Sequence, residues 1–176
     1  MKTTLSLGAM VSLALMAGAS SLASAEAAAQ GVDVAVASSD GIRSFNAEDV
    51  PTFDIAEDGT VDWPTFSGYR RYQSECHVCH GPDGMGSSYA PALKDSVMRI
   101  DYYTFLETIA NGKQEVGAAK TLVMPAFGTN ANVMCYVDDI WTYLRARGTG
   151  ALDRGRPAKR ADKSPEYAEV EKTCME

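Results

Sequence analysis

Apolar residues along this chain recur with helical spacing in a few short stretches, separated by polar or turn-rich segments, and no stretch alternates convincingly as a half-buried strand would. Trp63 to Glu75 reads as a first helix, with Ser67 as its N-cap and Phe66, Tyr69 and Tyr72 on its apolar side. Asp101 caps a second helix, in which Tyr102, Phe105, Leu106 and Ile109 fall at i, i+3, i+4 and i+7 and Gly112 is the C′ residue. A last helix is expected over about 131–147, with Asn130 as N-cap and Gly148 as stop. Val133, Val137, Ile140 and Leu144 form its narrow apolar stripe, flanked by Tyr136 and Trp141. The pattern predicts a mainly α fold without internal repeats.

The two ends lack this periodicity. Lys2, the apolar run from Leu5 to Ala17 and Ala23-Ser24-Ala25 have the layout of an export signal with its cleavage site, so residues 1–25 are set aside. The alternative is a retained anchor, but the run falls short of the ~20 residues a span needs. Export implies the periplasm, an oxidising compartment in which disulfides persist. Residues 26–62 read as an acidic irregular arm, 63–148 as the main domain and 149–176 as a polar C-terminal tail. Nine acidic side chains and only Arg43 as a base fall within residues 26–63, so the net charge of the exported chain sits ahead of its first helix. No basic footprint for nucleic acid is present, and no stretch after residue 25 is apolar enough for a membrane span.

Between the first two helices lies Cys76-His77-Val78-Cys79-His80. C-x-x-C-H is the attachment signature of c-type haem. Two thiols three positions apart reach the two vinyl groups on one porphyrin edge, and the following histidine falls beneath the iron. The competing readings are a redox C-x-x-C pair, which expects a βαβ setting, and a zinc site, which needs further ligands. The only histidines are His77 and His80, both inside the motif. One motif predicts one covalent haem c, held by Cys76 and Cys79 with His80 as iron ligand. His77 is given no ligand role.

Methionines after the motif are Met85, Met98, Met124, Met134 and Met175. A methionine opposite the histidine suits electron transfer, whereas an open position suits gas binding or chemistry. Met85 is too near His80 to reach the other face. Met124 is favoured as the distal ligand because Pro125 keeps it out of helix and stiffens its loop. The others are left as gap-filling methionines. At 100° per residue Cys135 falls almost opposite the apolar stripe, beside Asp138, Asp139 and Thr142. Cys174 is its remaining partner, and a Cys135–Cys174 disulfide would tie the tail across the last helix, worth about 2–4 kcal/mol. Two free thiols or an intermolecular bond are the alternatives.

From Tyr69 to Leu144 the chain resembles the class I cytochromes c. It has a helix entering C-x-x-C-H, a glycine loop, Pro91-x-Leu93, Met124-Pro125 and a closing helix with Tyr143-Leu144. The resemblance implies three to five helices around one haem, first and last helices packed across each other, and the Pro91 carbonyl orienting His80. Residues 63–176 resemble more closely the four-cysteine cytochromes tied to methanol metabolism, through Tyr89-Ala90-Pro91-Ala92-Leu93, Val123-Met124-Pro125-Ala126-Phe127, Asn132-Val133-Met134-Cys135-Tyr136, Arg154-Gly155-Arg156-Pro157 and Cys174. That resemblance implies a monomeric electron carrier, not an enzyme, accepting electrons from a quinoprotein methanol or alcohol dehydrogenase and passing them to another cytochrome or an oxidase. A general periplasmic carrier serving another dehydrogenase or a terminal oxidase is the alternative.

Overall fold

In a computed structural model, residues 33–117 and 121–176 are described. The expected export signal and the start of the acidic arm lie outside the described residues. Four helices of ten or more residues form the frame: α1 (Trp63–Glu75), α4 (Tyr102–Asn111), α6 (Val137–Thr149) and α7 (Pro165–Met175). Single-turn helices α2 (His77–His80), α3 (Leu93–Ser96) and α5 (Ala131–Met134) connect them.

Helix α1 starts where Asp62 caps it, accepting a hydrogen bond from the Thr65 N–H at 3.0 Å. Asp62, rather than Ser67, is thus the N-cap. Ser67 lies one turn inside, buried, with its hydroxyl 2.8 Å from the Tyr167 hydroxyl. Asp101 caps α4 through the Thr104 N–H at 2.7 Å, as the sequence predicts. The expected continuous last helix is broken. Asn130 caps α5, but Tyr136 (φ −130°, ψ 15°) leaves the helical region, and α6 restarts at Val137. Gly148 does not stop α6, which ends at left-handed Gly150. Gly148 is a packing residue: a Cβ there would stand 2.5 Å from the Lys94 carbonyl oxygen.

Helices α1 and α6 cross at Gly68, and Phe66, Tyr72, Ile140, Tyr143 and Leu144 fill the core around the crossing. Val97, Phe105, Ile109 and Trp141 extend it. Burial of α6 goes well beyond the predicted stripe, because Asp139 and Thr142 on the opposite side are also fully buried. The arm and the tail cover them.

The arm is therefore not irregular throughout. Strands β1 (Ser38–Ser39), β2 (Ser44–Phe45) and β3 (Pro51–Thr52) form a small antiparallel sheet. Polar side chains hold it: Asn46 Oδ1 accepts from the Val50 N–H, Asn46 Nδ2 donates to the Asp33 carbonyl, and Thr52 Oγ1 donates to the Val34 carbonyl. Such bonds leave no hydrophobic period to read. Arg43 reaches from the arm to Asp139 at 3.0 Å, and the Tyr167 hydroxyl of α7 donates to the same carboxylate. Strand β4 (Thr60–Val61) pairs in parallel with β7 (Lys159–Arg160) of the tail. Arg160 lies over Trp63 and Phe66, Arg156 over Phe66, and Lys163 over Trp63, so the basic stretch of the tail is seated on the aromatic start of α1. Cys135 and Cys174 are joined by a disulfide, which fastens α7 beside α5.

Half-buried Asp62 and fully buried Asp139 contribute to the pH response of the fold in the same direction. Burial pushes Asp62 up to about 6, against the hydroxyl and N–H of Thr65. Burial also drives Asp139 upward, opposed by Arg43, Tyr167 and Ser67. In the unfolded chain both titrate near 4. Between about pH 6 and 4 these two groups bind more protons in the folded state, so their contribution to stability rises as pH falls through that window. His80, whose pKa burial lowers, acts in the opposite direction, so the expected result is a difference: lowering the pH from 7 to 5 stabilises the parent relative to an Asp62→Asn variant by on the order of 1 kcal/mol. Scanning calorimetry of both proteins gives the sign, and a parent-to-variant difference that shrinks on going to pH 5 contradicts it.

Candidate functional site

Helix α1 delivers its C-terminal turn directly into the motif. Cys76 is the C-cap of α1, and α2 carries His77, Val78, Cys79 and His80. Cys76 and Cys79 are not bonded to each other. Burial, with the charges of Glu75 and Cys79 adding to it, pushes the Cys76 thiol up to about 12, the opposite of what a redox-active C-x-x-C cysteine requires. No group of three or more His, Cys, Asp or Glu suited to a metal ion occurs among the described residues, which removes the zinc reading its ligands.

His80 is buried and fixed. Its Nδ1–H donates to the Pro91 carbonyl at 3.0 Å, since a carbonyl can only accept. That bond assigns the tautomer and leaves Nε2 unprotonated, the state of an iron-ligating imidazole. Burial lowers the His80 pKa, with the Pro91 bond opposing, which favours the neutral ring. His77 instead points its Nδ1 to Gln73 Oε1, 2.6 Å away on the exposed side of α1.

Tyr72 holds the loop in place. It is fully buried, and its hydroxyl donates to the Gly81 carbonyl at 2.6 Å, lies 3.2 Å from the His80 carbonyl and accepts from the Gly84 N–H at 3.0 Å. Sequence reading places Tyr72 only on the apolar side of α1; the three glycines of the turn-rich run after His80 are the signal that an outside clamp is needed. The Gly86 N–H closes the loop onto the His80 carbonyl at 2.7 Å.

Met124 is the last residue of a hairpin absent from the sequence expectation. Strands β5 (Lys113–Val116) and β6 (Thr121–Met124) pair with Lys113 opposite Met124 and Glu115 opposite Leu122. Strand alternation puts Met124 and Leu122 on one hairpin face, shared with Lys113 and Glu115. Lys113, Glu115 and Leu122 line a cleft of about 420 Å³ whose other wall includes Ser87, Tyr89 and Pro91. So the segment whose Pro91 carbonyl tethers His80 faces the hairpin across this cleft, and Met124 is not among the residues that line it. Met124 is half-buried against the core, as are Met98 and Met134, while Met85 and Met175 are exposed. Gly112, in the left-handed region at φ +72°, lets the hairpin close: a Cβ there would lie 2.5 Å from the Met124 carbonyl oxygen.

Two thiols not bonded to each other and an imidazole whose Nε2 is left free, in C-x-x-C-H spacing, fit a covalently attached haem. The comparisons with known proteins agree. A family profile described as cytochrome C oxidase, cbb3-type, subunit III, matches residues 65–144. Cytochrome c-553I of Paracoccus denitrificans is 68% identical over 133 residues, 76% of this chain but 59% of that protein. The chain therefore spans less than two thirds of that relative's length. Cytochrome c-555 of Methylococcus capsulatus is 32% identical over 56% of this chain and 75% of its own length. The crystal structure of the c-type cytochrome XoxG from Methylobacterium extorquens AM1 superposes with a TM-score of 0.75 at 53% identity, covering 81% of this chain and 87% of that one. The chain belongs to the class I c-type cytochromes, and its cofactor is haem c.

Among the described residues, no helix is long and apolar enough to cross a membrane.

Proposed function

We propose that this protein is a periplasmic mono-haem electron carrier that accepts single electrons from a quinoprotein methanol or alcohol dehydrogenase and delivers them to another cytochrome or an oxidase. Haem c supplies a one-electron iron couple. Cys76 and Cys79 would hold it as thioethers, His80 would bind the iron through its free Nε2, and Met124 would supply the second ligand. The Pro91 bond to His80 and the Gly112 seat beneath Met124 keep both ligands in place while the oxidation state changes, which favours rapid transfer over chemistry at the metal. The protein acts as a carrier, not an enzyme, and as a monomer, after removal of residues 1–25.

The observation that carries the donor assignment is the joint occurrence of the haem motif and a tail fastened by Cys135–Cys174, the feature set of the four-cysteine cytochromes tied to methanol metabolism. Similarity to XoxG over most of both chains supports it. Val78 and Tyr89 are exposed apolar side chains beside the attachment motif, 82% and 74% accessible, and Cys79 is exposed with them. They offer the partner an apolar contact at the thioether edge, with surface charge steering encounter.

Stopped-flow mixing of reduced quinoprotein methanol dehydrogenase with the ferric protein tests the assignment. Reduction much faster than that of an unrelated class I cytochrome is expected. Equal rates would discard this donor and leave the general carrier, which partner-swap kinetics with other dehydrogenases would then identify.

A further inference from the structure

Asp83 stands three residues after His80, in the single 3-10 turn Pro82–Gly84, and adopts a left-handed backbone (φ 57°) that non-glycine residues rarely take. Its carboxylate is buried, 9% exposed. The C-terminal tail supplies the carboxylate's bonds: Gly155 N–H donates to Oδ1 at 3.1 Å and Arg154 Nε donates to Oδ2 at 3.2 Å, while Arg147 of α6, itself buried, reaches the Asp83 backbone carbonyl with its Nε at 3.4 Å. Arg154, the counter-ion, is 61% exposed. The negative member of the pair thus lies in low-dielectric surroundings, and the positive member is largely in water. Arg154 therefore offsets the anion only in part, because solvent screens the cation more than the anion, and buried Arg147 is a second cation on the same residue that stays in place when Arg154 is replaced.

Asp83 lies close to Tyr72, whose hydroxyl accepts from the N–H of the adjacent Gly84 at 3.0 Å, and to Tyr143. Burial raises the pKa values of Tyr72 and Tyr143, and the charge of Asp83 raises both further. Tyr72 is the side chain whose hydroxyl bonds the Gly81 carbonyl and approaches that of His80. No step of the carrier function described above uses Asp83 or Arg154.

We propose that the Asp83–Arg154 pair sets the ferric–ferrous balance of the haem electrostatically, Asp83 favouring the oxidised form and Arg154 the reduced form. A buried anion stabilises the more positive oxidation state. The tail, by placing Arg154 on that anion, offsets part of its effect. The pair is a positioning and tuning device, distinct from the ligands, and the inference rests on the attachment of haem to Cys76, Cys79 and His80.

The test is an equilibrium redox titration of matured holoprotein at fixed pH and ionic strength, with thermal melting read in parallel. D83N is expected to raise the reduction potential and R154Q to lower it, each moving the ferric–ferrous equilibrium by about threefold or more, with D83N/R154Q returning toward the parent. A purely structural role predicts something different: both single variants loosen the same link between loop and tail and shift the potential in the same direction. Shifts of the same sign, or no shift in either variant, overturn the proposal. Should D83N fail to accumulate as folded holoprotein, R154Q is compared with R154K, which keeps the charge: R154Q is expected to lower the potential and R154K to stay near the parent, and equal shifts in the two overturn the proposal. A parent protein whose mass lacks haem overturns the attachment reading itself, whereas a parent with normal haem and same-sign variants overturns only the electrostatic role.

Discussion

Replacing Gly68 with alanine is expected to destabilise the protein by ~3 kcal/mol or more, to the point where little matured holoprotein accumulates. A Cβ at residue 68 would stand 1.8 Å from the Asp139 carbonyl oxygen, 2.4 Å from its carbonyl carbon and 2.9 Å from Tyr143 Cβ. None of these atoms is the far end of a flexible side chain, so α1 and α6 must separate. Several interactions are centred on that crossing. Tyr72 lies one turn along α1, its ring 5.5 Å from that of Tyr143, and its hydroxyl clamps the loop that presents His80. Ser67, Tyr167, Asp139 and Arg43 meet on the other side of the same contact. Moving the helices apart by even part of a methyl diameter removes these interactions together. Gly59→Ala is the control. It has φ +81° but nothing within 4 Å of the added methyl, so only the backbone cost of about 1 kcal/mol applies. Denaturant unfolding of both variants separates the cases. A G68A protein within about 0.5 kcal/mol of the parent would show that the crossing tolerates a methyl group.

What made parts of this fold legible was local chemistry that acts within one turn. Asp101 and Asn130 sit as caps because their side chains reach the next helical N–H groups, whatever lies elsewhere. The attachment motif is legible because its chemistry needs five consecutive residues. The misread positions depend on distant partners. Ser67 has the right residue type for a cap, yet Asp62 fills that role and Ser67 serves Tyr167, a hundred residues away. Gly148 looks like a stop and is a close-approach site for Lys94 and Met98. The arm has no apolar alternation because its sheet is held by Asn46 and Thr52 bonds to backbone and by Arg43 reaching Asp139. The hairpin Lys113–Met124 was not legible as strand because β5 is exposed throughout and β6 alternates only between exposed and half-buried residues, leaving it without a fully buried face. Around the site, the type and spacing of Cys76, Cys79 and His80 could be read directly. The Tyr72 clamp and the Asp83 link to the tail could not, since each joins segments that only the tertiary fold brings together.

Met124→Ala is expected to leave the fold standing and to change the haem chemistry outright. The backbone of the Met124 segment is fixed independently of its side chain. Gly112 packs against the Met124 and Pro125 backbone, the Phe127 N–H donates to the Ile109 carbonyl at 2.9 Å, and the Gly128 N–H donates to the Ala110 carbonyl at 3.0 Å. Met124 itself is only half-buried, so truncation should cost roughly 1–2 kcal/mol, below the range for a fully buried methionine. A thioether opposite the histidine stabilises the ferrous state. Its loss should lower the reduction potential, shifting the ferric–ferrous equilibrium by about tenfold or more, and should open a coordination position that binds carbon monoxide in the ferrous form. The parent protein, by contrast, should not bind carbon monoxide, and its ferric spectrum should show the weak far-red band of methionine-ligated haem, absent from the variant. A variant with unchanged potential, an intact band and no carbon monoxide binding would transfer the ligand role to another methionine. A parent that already binds carbon monoxide would point instead to a protein built for ligand binding at an open iron.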